Sequence, residues 1–516
     1  MPSTETTPLL PSISKDAELP SLKKRILQVA CSIIWCLFAA GPIFGFAALK
    51  PVLVAQGVYK EVCEVGTNWE GGELCPDRDL KLNLMFTMGA VITNATALIV
   101  GRILDTYGPK VTGIIGSFVI FMAALCLANG KAITLFDGYL VGYVSLAFGG
   151  PFVFISCFQL ANSFPGNSGL ILALLTGSFD SSSALFLIYR VVFQNDYVKD
   201  LTLKKFFSYY LVVPVFILVC QLTIMPSESY KTVEALAKIS ETGLNEEGLP
   251  LDPEDERYTS EQVAQHQARS RRPSVKSVYE EMAEANMTAK TGNIFGALHS
   301  KSIKEQMSTP WFYLMCLFTT IQMLRINYFV ATIRSQMEFY FDDEDIAITI
   351  NKFFDIALPV GGILSIPFIG VLLDNFKTLT VLTILLCVSL TIGICGVIPY
   401  QFLQFIGIML LVLYRPFYYT AVSDYCAKVF GFKTFGTVYG AIICFSGFCN
   451  LLQTFLDKST HTIFHMNPNP VNFTLVGLTL VFGFAMVTFI KTKEDELEKD
   501  QLFQEAANSE VVEIPQ

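Results

Sequence analysis

The sequence is short of charge. Of its 516 residues only 16% are Asp, Glu, Lys or Arg, against roughly a quarter in an ordinary soluble domain, while 52% are hydrophobic. That balance excludes a water-soluble globule and makes the bilayer the chain's solvent. Catalytic signatures are also missing. Without a phosphate-cradling glycine loop, an HExxH pair or a nucleophile elbow, an ATP-driven pump and a membrane hydrolase have no support, and neither enzyme activity nor a cofactor is expected. HTIFH, residues 461–465, has metal-like spacing but no third ligand nearby, so no metal site is expected. About 25 polar residues precede an apolar run too long for a signal h-region, so that run is read as a retained anchor. The net charge of −9 resides largely in residues 226–308 and after 491; nothing suggests nucleic acid.

What is present is apolar length. Twelve runs of about 20 residues, each enough to cross a hydrocarbon core roughly 30 Å thick, lie near 26–49, 82–101, 111–129, 138–161, 170–190, 206–225, 310–332, 346–372, 378–397, 401–424, 435–456 and 471–490. The expected fold is therefore an all-α membrane protein of twelve transmembrane helices. Residues 226–308 interrupt the series with Ser, Glu, Asp, Lys and Pro, as a disordered cytosolic linker would. Six spans stand on either side. The expected organisation is a cytosolic tail (1–25), a six-helix bundle (26–225), the linker (226–308), a second six-helix bundle (309–490) and a cytosolic tail (491–516). SLKKR, just before the first span, puts the N-terminus in the cytosol. Cys63 and Cys75, two of the 13 cysteines, share a polar Gly-rich loop on the opposite side, where a disulfide is chemically allowed.

The halves echo each other. GRILDTYGPK (101–110) follows span 2 and GVLLDNFK (370–377) follows span 8, each with Gly-x-x-x-Asp. ANSFPGNSG follows span 4 and AKVFGFKTFG follows span 10 at a similar offset, which points to an internal duplication. Gly101 permits close helix approach, and Asp105 can sit against a helix N-terminus, where a carboxylate gains roughly 0.3–1 kcal/mol. GRILDTYGPK resembles the loop motif of the major facilitator superfamily, in which Gly, Asp, Gly and a basic residue close the cytosolic side. The resemblance assigns that gating role to Gly101, Asp105, Gly108 and Lys110, and by repetition to Gly370 and Asp374. A narrower resemblance, carried by FGFAALKPVLVAQGVYKEVC, LNLMFTMG, NSFPGNSGLILALLTGSFDSS, MLRINYFVATIRSQMEFY and FGTVYG, is to fungal relatives of the sodium-independent large neutral amino acid transporters. It implies two pseudo-symmetric bundles that rock about a shared site.

Four ionisable residues fall deep inside spans: Asp180, Arg325, Asp355 and Arg415. A charge at mid-bilayer costs about 2.5–3.5 kcal/mol on insertion scales, so each is expected to face protein or a watered cavity. Arg415, in LYRPFYYT, suits the carboxylate of a zwitterionic amino acid, and Asp180 its amine. The competing reading ties Arg415 structurally to Asp355. Tyr418 at i+3 from Arg415, Gln322 at i−3 from Arg325, and Asn94 complete the expected substrate site. GPIFGF (41–46) is expected to loosen the first span.

The expected activity is alternating-access uniport of a neutral amino acid. Proton coupling through Asp355 or Asp180, with another small organic solute as cargo, and a non-transporting nutrient sensor are the alternatives. Glu5, Leu9 and Leu10 form an acidic dileucine pattern for a sorting adaptor, pointing to the vacuolar membrane with the plasma membrane as alternative. RRPS places a basophilic kinase site at Ser274.

Overall fold

The structure, a computed structural model, describes residues 20–64, 76–164, 167–195, 201–230, 294, 296–299, 301–341, 343–431 and 433–510. Within them every regular element is a helix. The first span bends by 47° between Leu22–Ala40 and Pro42–Ala55 (together α1). Its GPIFGF stretch follows a π-helical turn, Cys36–Ala40, and includes a 3-10 turn, Pro42–Gly45. This local rewinding is how a helix absorbs Gly and Pro without losing all its backbone bonds. Gly45 lies so close to the pass Ser168–Gln194 that a Cβ there would stand 2.4 Å from the Ser183 carbonyl oxygen.

Pro76–Ala128 is one helical run broken at Gly108, whose φ of 80° and ψ of 173° are not helical. The apolar part, Lys81–Ala128, has 48 residues, or roughly 72 Å at 1.5 Å per residue, about twice a bilayer core. The break therefore divides it into two passes, α2 (76–107) and α3 (109–128). The remaining passes are α4 (Gly138–Ser163), α5 (Ser168–Gln194), α6 (Leu203–Thr223), α7 (Pro310–Phe341), α8 (Glu344–Leu364, continued by Ile366–Asn375), α9 (Thr378–Val397), α10 (Gln401–Phe430), α11 (Phe435–Thr460) and α12 (Asn469–Glu510). That makes twelve crossings among the described residues, as the apolar runs require. Large apolar side chains such as Val212 (70% exposed) and Phe368 (67% exposed) point outward, the surface a lipid-facing helix presents.

Contacts between the halves run through α2 with α11 and through α5 with α8 and α10. Small residues set their depth. A Cβ on Gly101 would lie 1.8 Å from the Gly436 carbonyl oxygen, and one on Gly177 would lie 2.6 Å from that of Gly362. Backbones at such range gain dispersion contact that side chains would block. Two boundaries differ from expectation. α12 continues to Glu510, past the expected start of the tail at 491. The end of the linker also packs: Ile294 and Leu298 are buried, and the Gly296 and Leu298 amides donate to the carbonyls of Lys428 (3.0 Å) and Val429 (3.1 Å). Gln306 donates to the Phe430 carbonyl at 3.0 Å. These three donors satisfy carbonyls that the end of α10 leaves open.

Candidate functional site

Asp180 on α5 and Arg415 on α10 come from different halves and meet at the centre. Arg415 Nε lies 3.6 Å from Asp180 Oδ1, and the residues are only 5% and 4% exposed. Attraction at that distance is worth about 5 kcal/mol at an effective dielectric of roughly 20, while removing each ion from water costs several. Hydrogen bonds would normally make up the difference. Here both Asp180 carboxylate oxygens and Arg415 Nε have no hydrogen-bond partner. A buried ion pair with three open valences is chemically unfinished.

Its surroundings are aromatic and small. The Arg415 guanidinium sits 5.2 Å from the ring centroid of Phe44, in the unwound part of α1, a cation–π arrangement. The Tyr419 hydroxyl interacts with the same guanidinium. Ser181 donates to the Pro359 carbonyl on α8 at 3.0 Å, and the hydroxyls of Thr176 and Thr420 bond across the halves at 2.5 Å. The ion pair described for Arg415 is with Asp180. Asp355 lies within α8, with its side chain outside the described residues.

Other expected site residues are placed elsewhere. Tyr418 is fully buried, and its hydroxyl donates to the Thr319 carbonyl on α7 at 2.8 Å; the neighbouring Tyr419 takes the position beside Arg415. Asn94 donates to the Ala90 carbonyl one turn back at 3.0 Å, and a Cβ on Gly447 would stand 2.1 Å from the Asn94 Cβ. Arg325 is held inside the second half. Its Nη1 donates to Ser389 Oγ at 2.8 Å, Ser389 donates to Gln322 Oε1 at 2.6 Å, and Tyr414 donates to the same oxygen at 3.0 Å. Gln322 Nε2 then donates to Thr479 at 3.3 Å. α7, α9, α10 and α12 are joined by this network of one guanidinium and uncharged side chains.

The two Gly-x-x-x-Asp turns meet the opposite halves crosswise. Asp105 Oδ1 accepts from the Gly436 amide at 2.9 Å, and Oδ2 accepts from the Thr437 amide at 2.7 Å and its hydroxyl at 2.6 Å. Asp374 accepts from the amides of Gly169 at 2.7 Å and Leu170 at 3.1 Å. Each carboxylate thus caps the first turn of a helix in the other half, α11 or α5, where free amides and the helix dipole favour an anion. Gly370 packs on Leu170, whose Cα would lie 3.1 Å from an added Cβ. Gly108 carries the turn, and Lys110 Nζ donates to the Leu222 carbonyl at 3.5 Å. At the same end Phe158 of α4 packs against Phe435 and Tyr439 of α11, with ring centroids 5.8 and 5.6 Å apart.

Cys63 is disulfide-bonded; Cys75, its expected partner, lies outside the described residues, as do Glu5, Leu9, Leu10 and Ser274. Among the described residues no three His, Cys, Asp or Glu side chains group as a metal site. The residues that spacing did not single out are Tyr419, Phe44, Ser389 and the capped amides of Gly436, Thr437, Gly169 and Leu170. A signal for the last four was present in the second repeated pair of motifs, which supplies the helix starts that the first pair caps.

Twelve passes in two halves, joined by crosswise caps and a central ion pair, define the major facilitator fold. The fold aligns with the proton:xylose symporter XylE at a TM-score of 0.57 and 13% identity, over 91% of this chain and 95% of that one. The chain belongs to one family with Protein FMP42 of Saccharomyces cerevisiae, to which it is 54% identical over 91% of its own length and 95% of that protein. It is also 24% identical to Equilibrative nucleobase transporter 1 of Bos taurus (89% of this chain, 95% of the relative). With Large neutral amino acids transporter small subunit 3 of Homo sapiens it shares 22% (91% and 93%). No family model matches the chain.

Proposed function

We propose that the protein carries neutral amino acids by alternating access as a uniporter, with Asp180 and Arg415 as its substrate-binding pair. The observation that supports this most is the buried pair between the halves with its unfilled hydrogen-bonding valences. A zwitterion can enter such a pair by substitution. Its carboxylate takes the guanidinium, its ammonium takes the carboxylate, and two buried charges exchange one imperfect contact for two better ones. Phe44 and Tyr419 would then flank the apolar side chain. Asp105 and Asp374, with Gly101, Gly370, Gly108 and Lys110, act as the gate. Placing the N-terminus in the cytosol puts these caps on the cytosolic side, engaged, so the described state is closed to the cytosol. Cys63 and Cys75 would then staple the opposite side. The vacuolar membrane is the favoured location.

A nucleobase is the second reading. The Bos taurus relative's name and the flat aromatic surface of Phe44 beside a carboxylate and a guanidinium both suit a planar ring with donors and acceptors on its edge. Uptake of radiolabelled leucine and adenine into proteoliposomes separates the two. Saturable leucine flux, lost in Arg415→Lys, is expected. Adenine flux alone would transfer the site to a nucleobase, and leucine binding without flux would make the protein a sensor. Leucine flux that does not respond to an imposed proton gradient is expected of a uniporter.

A further inference from the structure

The two helices that receive the crosswise carboxylates start differently from α4, α6 and α8. At the N-caps of those three, Asp137, Thr202 and Asp343 have extended ψ angles of 95°, 163° and 112°, and each side chain accepts from an amide of its own first turn. That is the ordinary behaviour of these residue types. Asn167 before α5 and Thr434 before α11 are equally good N-cap residues, yet neither side chain caps its helix, and their ψ angles are 32° and 4°. Asn167 is exposed. The Thr434 hydroxyl donates to Gln306 Oε1 at 2.8 Å, with the Phe430 carbonyl 3.2 Å away, and Gln306 is fully buried.

A self-cap would take the amides of the second and third helical residues. In α5 these are Gly169 and Leu170, and in α11 Gly436 and Thr437. They are the same amides that Asp374 and Asp105 hold from the opposite halves. Glycine at the second position lets each carboxylate in: an added Cβ would stand 2.8 Å from Asp374 Oδ1 on Gly169 and 2.6 Å from Asp105 Oδ1 on Gly436. Each helix start thus has two caps for one pair of amides, one local and one from the other half, and the arrangement occurs in both repeats.

We infer that Asn167 and Thr434 belong to the gate as its reserve caps, an assignment that rests on the proposed gating role of Asp105 and Asp374. When a carboxylate withdraws, rotation about ψ of the N-cap residue into the extended range brings its own side-chain oxygen onto the two amides. The helix start is then not left with open donors, and opening exchanges one cap for another. A single dihedral at an element end absorbs the change.

Hydrogen exchange of the full chain in phosphatidylcholine nanodiscs, read by mass spectrometry, tests this in α5. In Asp374→Ala, Gly169 and Leu170 are expected to stay protected to within about threefold, because Asn167 takes them; with Asn167→Ala added they should exchange about tenfold faster or more. Asn167→Ala alone should leave their exchange unchanged. Equal exchange in Asp374→Ala and the double variant, or faster exchange in Asn167→Ala alone, would overturn the assignment. If Asp374→Ala does not fold, Asp105→Ala with and without Thr434→Ala puts the same question to Gly436 and Thr437. Asn167→Ala is further expected to slow maximal leucine uptake about fivefold at unchanged Tm, the factor one N-cap is worth, and Asn167→Ser to restore it to within about twofold. Uptake at full rate in Asn167→Ala, or no recovery in Asn167→Ser, would count against the reserve cap. An unmodified protein that carries no leucine would sink the proposed function and leave exchange to decide the caps; intact leucine flux with equal exchange in the single and double variants would do the reverse.

Discussion

Arg415 and Arg325 both sit in the middle of helices of the second half, yet the fold accommodates them by different means. Arg415 faces a full opposite charge on the other half, at 3.6 Å and without a completed hydrogen bond. Arg325 donates to a serine within its own half, and that serine is held by a glutamine which a tyrosine and a threonine also engage. A hydroxyl network is short-range and geometrically exact, so it suits helices that stay together. A charge pair tolerates separation better, because Coulomb attraction falls only as the inverse of distance. In the proposed cycle the contact between the halves is the one that would have to survive stretching.

The comparison breaks most clearly at Asp180. Asp180→Asn leaves Arg415 buried without its counter-charge, and a loss of about 3–5 kcal/mol is expected, together with loss of leucine flux; thermal unfolding of the purified protein and proteoliposome uptake measure the two. Exchanging the pair, Asp180→Arg with Arg415→Asp, should recover most of that stability and none of the flux, since a reversed pair holds the halves but presents the wrong charge to each end of the substrate. Recovery of flux would reduce the pair to a strut. Ser389→Ala tests the other side of the comparison. It removes the bonded oxygen from Arg325 and is expected to cost about 1–3 kcal/mol, with KM for leucine unchanged because the hydrogen bonds of the network include neither Asp180 nor Arg415. Smallest is Tyr419→Phe, which deletes one hydroxyl beside Arg415 and should raise KM by about two- to fivefold, corresponding to a net hydrogen bond of about 0.5–1 kcal/mol.

The membrane part was largely legible in the sequence, because apolar length is a one-dimensional signal. Twelve runs correspond to twelve passes, and charges at mid-span announced Asp180, Arg325 and Arg415 as residues that need company. Who supplies that company was not legible. The choice between Asp180 and Asp355 depends on how each helix is rotated and how two bundles dock, and neither is written in hydropathy. Tyr418 and Tyr419 show how narrow the margin is. At about 100° per residue, i+3 falls roughly 60° from Arg415 around the helix and i+4 only about 40°, so both share a face and the nearer one is Tyr419. The crosswise caps were half legible: the aspartates stood out as a repeat, but a backbone amide has no letter in the sequence, so their partners could be found only from coordinates.

The contact of Gly101 with Gly436 has a consequence for how this protein can change over generations. Where two halves close backbone on backbone, there is no side chain to trim, so no substitution can improve the fit by subtraction. Every change at either position adds bulk, and even one methyl group acts as a wedge against a carbonyl oxygen that a Cβ on Gly101 would approach to 1.8 Å. Mutation at this point therefore pushes in one direction, toward two halves that no longer meet here, and the two glycines divide the chain's variation into what the lipid-facing surface is free to explore and what this backbone contact forbids.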